Sequence, residues 1–174
     1  MSDNKNTTWK IDTAHSEINF KVKHMMISTV TGSFENFDGK IETNEEDFKN
    51  AQFTFSAEID SINTKNKDRD THLKSDDFFG AENNPELTFK SKSFDGEKMV
   101  GTISIKGVSQ EITMDANYNG TAVDPYGQTK AGFEFEGSIN RKDFGLTWSA
   151  VTEAGNVVVS DKVKLIASLQ YIKQ

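Results

Sequence analysis

Apolar and polar residues alternate with period two through almost the whole chain, and a sequence built that way folds into strands with one buried face. Ala51, Phe53, Phe55, Ala57 and Ile59 alternate with Gln52, Thr54, Ser56, Glu58 and Asp60 without a break. Similar rows run through Ile18, Phe20 and Val22, through Leu87, Phe89 and Ser91, and through Met99, Gly101, Ile103 and Ile105. Further rows hold Ile112, Met114, Ala116 and Tyr118, then Ala131, Phe133, Phe135, Gly137 and Ile139. In the last stretch Val157, Val159, Val163, Leu165, Ala167, Leu169 and Tyr171 share one parity. Turn chemistry separates the rows, with Asp95-Gly96 leading into Met99 and a loop from Gly120 to Gln128 that contains Pro125 and Gly127. About eight strands at hairpin spacing specify an all-β sandwich or barrel and argue against a parallel α/β sheet.

Eight antiparallel strands with one apolar face lose their edges only by closing, and eight is about the smallest number whose barrel holds a ligand. The expected fold is therefore an eight-stranded antiparallel β-barrel. Two irregularities are expected in its first half. The run from His24 to Thr29 breaks the alternation and reads as a short helical turn or corner. Parity switches between Phe34 and Phe37, which an inserted residue near Glu35 or Asn36, a β-bulge, would repair. The inward rows mix phenylalanines with Gly32, Ala51, Ala57, Gly101, Ala116 and Gly137, a mixture that fits either a packed core or a lined cavity.

From Ile62 to Pro85 the alternation stops. Lys65, Lys67, Arg69 and Lys74 lie among Asp68, Asp70, Asp76, Asp77 and Glu82, ahead of the adjacent Phe78 and Phe79. Such a long interruption in a β domain is functional or disordered, and the aromatic pair favours order. The segment reads as a cover over one end of the sheet, with a short helix within residues 65–79. Residues 1–8 read as a disordered tail and 9–174 as one domain.

Composition narrows the function. A net charge of -7 supplies no positive field for a nucleic-acid backbone. With no cysteine there is no disulfide, thiol chemistry or cysteine-ligated metal. His15, His24 and His72 lack metal-ligand spacing, so no metal site is expected, and neither a P-loop nor a serine nucleophile elbow occurs. No run approaches the ~18 apolar residues of a membrane span, and the amino terminus lacks the apolar stretch of a signal peptide. The chain reads as cytoplasmic as written; a start placed on a mature periplasmic form would read the same. Arg69, Asp70 and His72 form the densest polar cluster, and Arg141 with Asp143 is a second. An arginine beside carboxylates in a partly buried cover more often fixes a loop than meets a ligand.

Four stretches, WKIDTAHSEINFKVKHMMISTVTGSF at 9–34, RDTHLKSDDFF at 69–79, GTISIKGVSQEITM at 101–114 and INRKDFGLTW at 139–148, together resemble the YceI-like family. The combination of Asp12, His15-Ser16, Phe20 and His24 with Arg69-Asp70, His72-Leu73 and Phe78-Phe79 carries the resemblance. It implies an extended, lipocalin-like form of the barrel whose cavity binds a polyisoprenoid, an isoprenoid quinone or another long-chain amphiphile. No cofactor is implied beyond such a lipid. Relatives that form dimers make a homodimer an open option, and exported relatives bear a signal peptide that is not seen here. On facing, the expected tail contacts are Phe20, Val22, Phe53, Phe55, Phe89, Ile103, Ile105, Phe133 and Phe135. Arg69, Asp70, His72, Phe78 and Phe79, with Trp148, are expected to frame the mouth. No catalytic residue transfers. The competing readings are an enzyme working through His72 and Asp70, and a filled barrel that recruits a protein partner.

Overall fold

The computed structural model of the chain describes residues 7–44, 48–148 and 159–174. The expected Val157 row position and residues 1–6 of the expected tail lie outside them, whereas Thr7 and Thr8, read as the end of that tail, are ordered as the start of the first strand by pairing with Thr43 and Glu42. Among the described residues eleven strands and one α-helix follow in order: β1 (Thr7–Ile11), β2 (Glu17–His24), β3 (Ser28–Phe34), β4 (Phe37–Thr43), β5 (Gln52–Glu58), β6 (Ile62–Asn63), α1 (Lys67–Lys74), β7 (Glu86–Phe94), β8 (Lys98–Ile105), β9 (Val108–Val123), β10 (Thr129–Asn140) and β11 (Val159–Lys173). Antiparallel pairing runs β1-β4-β5-β7-β8-β9-β10-β11, and β11 pairs back onto β1, so eight strands close a barrel. Beyond this ring β2, β3 and β6 extend the wall upward from β11.

The extra strands arise because three long strands are broken, one of them between β5 and β6 at a 3-10 turn, Ile59–Ser61. β1 and β2 both pair with β11, at Tyr171–Lys173 and at Val159–Ser168, on either side of a 3-10 turn at Thr13–His15. β3 and β4 are separated at Glu35–Asn36, where the parity switch placed an irregularity. The corner is braced by polar side chains. Asp12 accepts from the Ala14 amide (3.1 Å), from His15 Nδ1 (2.7 Å) and from Lys130 Nζ (3.1 Å), and Ser16 Oγ both accepts from the Gln170 amide (2.9 Å) and donates to its carbonyl (3.3 Å). Asp12, His15 and Ser16 therefore hold a bend in the wall.

Two expected boundaries shift. The His24–Thr29 segment is a tight hairpin turn between β2 and β3, with Met25 and Met26 both at positive φ (53° and 60°). The strand ending at Tyr118 continues to Val123, because an extra residue at Asn119 between the Phe133–Tyr118 and Gly132–Gly120 pairs bulges the ladder without ending it.

Two apolar clusters fill the ends of the barrel. The lower one gathers Trp9, Ile41, Phe48, Phe53, Phe94, Met99, Phe133, Phe135, Leu169 and Tyr171, with Phe133 ringed by Phe48, Phe53, Phe94 and Tyr171 at centroid distances of 5.1–6.1 Å. The upper one gathers Phe34, Ile59, Ile62, Phe78, Leu87, Ile103, Ile105, Ile139, Phe144 and Leu146. Burial pushes the Tyr171 phenol above its ordinary range, which keeps it neutral.

At the braced corner, burial works to raise the Asp12 pKa, but the hydrogen bonds from His15 and Lys130 outweigh it and the net shift is downward. A carboxylate with a lowered native pKa stabilises the fold above its unfolded pKa of about 3.9, and that contribution disappears as pH falls through the native value. Lys130→Met should therefore cost stability at neutral pH, and the gap to wild type should shrink as pH drops below about 4. Urea denaturation across pH measures this, and a gap independent of pH would contradict it.

Candidate functional site

Between the two clusters the barrel does not fill. A cavity of about 90 Å³, counted as space open to the centre of a water-sized sphere, lies at mid-height. A single water needs roughly 10–15 Å³ on that measure, so the space is substantial, and its apolar lining disfavours water. Phe20, Phe53, Phe55, Phe89, Ile103 and Phe135 line it, as expected from facing. Ile18, Phe34, Leu87, Met99, Ile112, Met114, Leu165, Ala167, Leu169 and Tyr171 join them. Most of these lie in the same alternating rows, so parity had already placed them on the inner face. Phe133 and Ile105 share that parity but sit too far down and too far up, inside the lower and upper clusters.

Small residues shape this wall. A side chain at Gly32 would place its Cβ 2.2 Å from Phe20 Cζ, and one at Gly101 would stand 2.3 Å from Phe89 Cζ. Each phenylalanine thus lies flat over a glycine of the neighbouring strand, and the Phe20 ring also meets Phe34 at 5.7 Å.

Phe20 lines a second concavity as well, of about 440 Å³, open at the upper end. Val22, Lys23, His24 and Val30 of the β2–β3 hairpin form one side of this mouth. Thr64, Asn66, Asp68, Arg69, His72 and Leu73 of the cover form the other, and Phe78, Trp148 and Val159 complete it. The helix is where the sequence placed it, capped by Asn66, whose side chain accepts from the Arg69 amide at 3.0 Å. No residue of α1 is fully buried, so the cover is held from its ends. At its start Thr64 is the anchor: its amide and hydroxyl donate to Asp70 Oδ1 (2.9 and 2.5 Å), while its hydroxyl and carbonyl accept from Arg69 (2.7 and 2.6 Å). The Arg69 and Asp70 side chains thus tie the helix to the preceding strand, and Asp70 is not part of the mouth lining.

At the other end of α1, His72 Nε2 meets Asp77 Oδ2 at 2.9 Å, and its ring stands edge-on to Trp148 (4.8 Å) and Phe78 (5.1 Å). Phe78 and Trp148 touch at 5.3 Å, making an aromatic sill. Phe79 turns inward against Phe34 at 6.3 Å and lies outside the mouth lining. Trp148 is positioned by Arg141, a cation only 3 % exposed that donates to the carbonyls of Leu146 and Trp148 (both 2.7 Å), Ser160 (3.0 Å) and Val159 (3.3 Å). The sequence had paired Arg141 with Asp143; its carboxylate neighbour is instead Asp161, at 3.7 Å. Burial lowers the Arg141 pKa, partly offset by Asp161. Among the described residues no group of three or more His, Cys, Asp or Glu side chains is placed to hold a metal ion.

A closed eight-stranded barrel with a mid-height apolar cavity and a helical cover at one end defines a lipocalin-like protein. The YceI-like domain pattern matches residues 9–171, and the chain belongs to that family. A UPF0312 protein of Staphylococcus epidermidis is 39% identical over 166 residues, covering 95% of this chain and 97% of that one. The crystal structure of the Campylobacter jejuni YceI protein superposes with a TM-score of 0.72 at 34% identity, over 87% of this chain and 90% of its own. A polyisoprenoid binding domain from Saccharophagus degradans has the same fold, with a TM-score of 0.68 at 17% identity over 95% and 98% of the two chains.

Arg141→Met removes the donor shared by four carbonyls and should cost on the order of 3 kcal/mol in urea unfolding, because those acceptors stay buried or partly buried. Trp148 fluorescence should shift to the red as its backbone is released. Unchanged emission and stability would show that the clamp does not set the sill.

Proposed function

We propose that this protein binds a long-chain amphiphile without chemically altering it, and so carries or stores a polyisoprenoid, an isoprenoid quinone or a fatty-acid-like lipid. The observation that carries this reading is the apolar cavity, sealed below by packed aromatics and separated from the mouth by the ring of Phe20. The S. degradans neighbour, a polyisoprenoid binding domain, is consistent with it.

Each methylene moved from water into such a lining contributes about 0.8 kcal/mol, so a tail binds tightly with few polar contacts. A volume of 90 Å³ admits only a segment of a long tail, and the rest requires side chains to move. Met99 and Met114, unbranched and adaptable, and Phe20, half-buried between the cavity and the mouth, are the residues that yield. Asn66, Arg69 and His72 at the mouth then meet the polar head.

The test combines organic extraction of protein purified without detergent with titration by cis-parinaric acid, a fluorescent long-chain probe. Ala167→Phe fills the cavity from β11 and should weaken probe binding at least ~10-fold at a folding cost of about 1–3 kcal/mol. Wild-type affinity in that variant, or extracts free of lipid together with no probe binding, would contradict the proposal. Turnover of a bound lipid abolished by His72→Ala would replace it with an enzymatic function.

A further inference from the structure

The β2–β3 turn is made of unexpected residues. Met25 and Met26 are both in the left-handed region, which two-residue hairpin turns normally fill with Asn, Asp or Gly. Met26 is 68 % exposed and does not recover the cost of that backbone by packing in the monomer, and Ile27 beside it is 83 % exposed. Three consecutive apolar side chains therefore stand in solvent at the tip of a hairpin. That hairpin is one side of the mouth, with Val22, His24 and Val30 lining it just behind the tip.

The charge around the tip runs against the sign of the whole chain. Lys21 and Lys23 are exposed on β2, and Lys162 lies one residue before the Val163–Val22 pair on β11. None of the three has an ion-pair partner among the described residues, whereas acidic Asp161 is already engaged by Lys142 (3.4 Å) and Arg141 (3.7 Å). On the cover, exposed Lys65 and Lys67 lie beside the mouth-lining Asn66 and Asp68. In a molecule of net charge -7 this is a local cationic collar below an apolar point.

We propose that the β2–β3 tip docks on an anionic phospholipid surface. Met26 and Ile27 enter the boundary between headgroups and acyl chains while Lys21 and Lys23 meet the phosphates. The mouth then faces the bilayer, and an apolar cargo passes into the barrel without crossing water. The purpose of docking rests on the lipid-binding function proposed above; the docking itself is measured separately.

The full chain should co-float with phosphatidylcholine vesicles containing about a third phosphatidylglycerol, weakly with phosphatidylcholine alone, and less at ~1 M salt. Met26→Asp with Ile27→Asp should lower the bound fraction at least ~10-fold, and Lys21→Glu with Lys162→Glu, both outside the mouth lining, should remove the preference for phosphatidylglycerol. Both double variants should keep wild-type affinity for cis-parinaric acid in solution, which separates a docking defect from a cavity defect. Vesicle binding without any cis-parinaric acid binding would support docking and overturn the cavity function alone. Docking is overturned if wild type floats with neither vesicle, or if Met26→Asp with Ile27→Asp floats as well as wild type. It is equally overturned if that variant only dissolves a dimer seen by ultracentrifugation, leaving vesicle binding unchanged.

Discussion

Strand β1 supplies the contact on which the rest depends, because it is hydrogen-bonded on both sides. Trp9, Lys10 and Ile11 pair with Lys173, Ile172 and Tyr171 of β11, and the other edge pairs with β4 from Thr43 to Lys40. Without that short ladder, β4 and β11 would each present an open edge, and an apolar inner face would have no enclosed side. With it, the circumference is fixed by strand count, and the inward side chains have a set volume to fill. They fill it unevenly. Large rings crowd the lower end, where Trp9, Phe48 and Phe133 sit, and leave the middle to residues whose cross-strand neighbours include glycines.

The upper end obeys a different constraint. Above the closed ring, β2 and β3 project as a hairpin whose outer edge has only β6 to pair with among the described residues. The segment from Thr64 to Pro85 occupies the space beside it, tied through Thr64, through the Phe34–Phe79 contact and through the bond from the Ile59 amide to the Pro85 carbonyl (2.9 Å). A cover held at its ends, with no fully buried helical residue, is suited to moving as a unit. Arg141 fixes the backbone of Trp148, and the cover meets that indole through His72 and Phe78.

Much of the wall was legible in the sequence because period two is a geometric signature of a one-sided strand. The parity switch at Glu35–Asn36 revealed one break. The break at Thr13–His15 was less visible, since the turn that interrupts the strand is made of residues that also suit a simple corner. Parity assigns a face but carries no information on depth along the axis. Phe133 and Phe135 are therefore indistinguishable in sequence, although one is ringed by the lower cluster and the other reaches the cavity. The loop-fixing role of Arg69, Asp70 and Arg141 was legible, but their partners were hidden for another reason. Their partners are largely the backbone groups of Thr64, Leu146, Trp148, Val159 and Ser160, and backbone atoms leave no mark on residue identity. The Asn119 bulge falls in a polar stretch, where the lack of apolar contrast conceals the register.

The central claim is that the closed wall keeps its middle available to a chain-like apolar molecule. It is tested most directly by a crystal structure of the protein isolated from cells without detergent. Elongated density is expected to run from between Phe53 and Leu165, past a displaced Phe20 ring, to the sill of Phe78 and Trp148. A barrel in which Phe20, Met99 and Met114 close the middle with no density between them, even in protein saturated with a long-chain lipid, would contradict it.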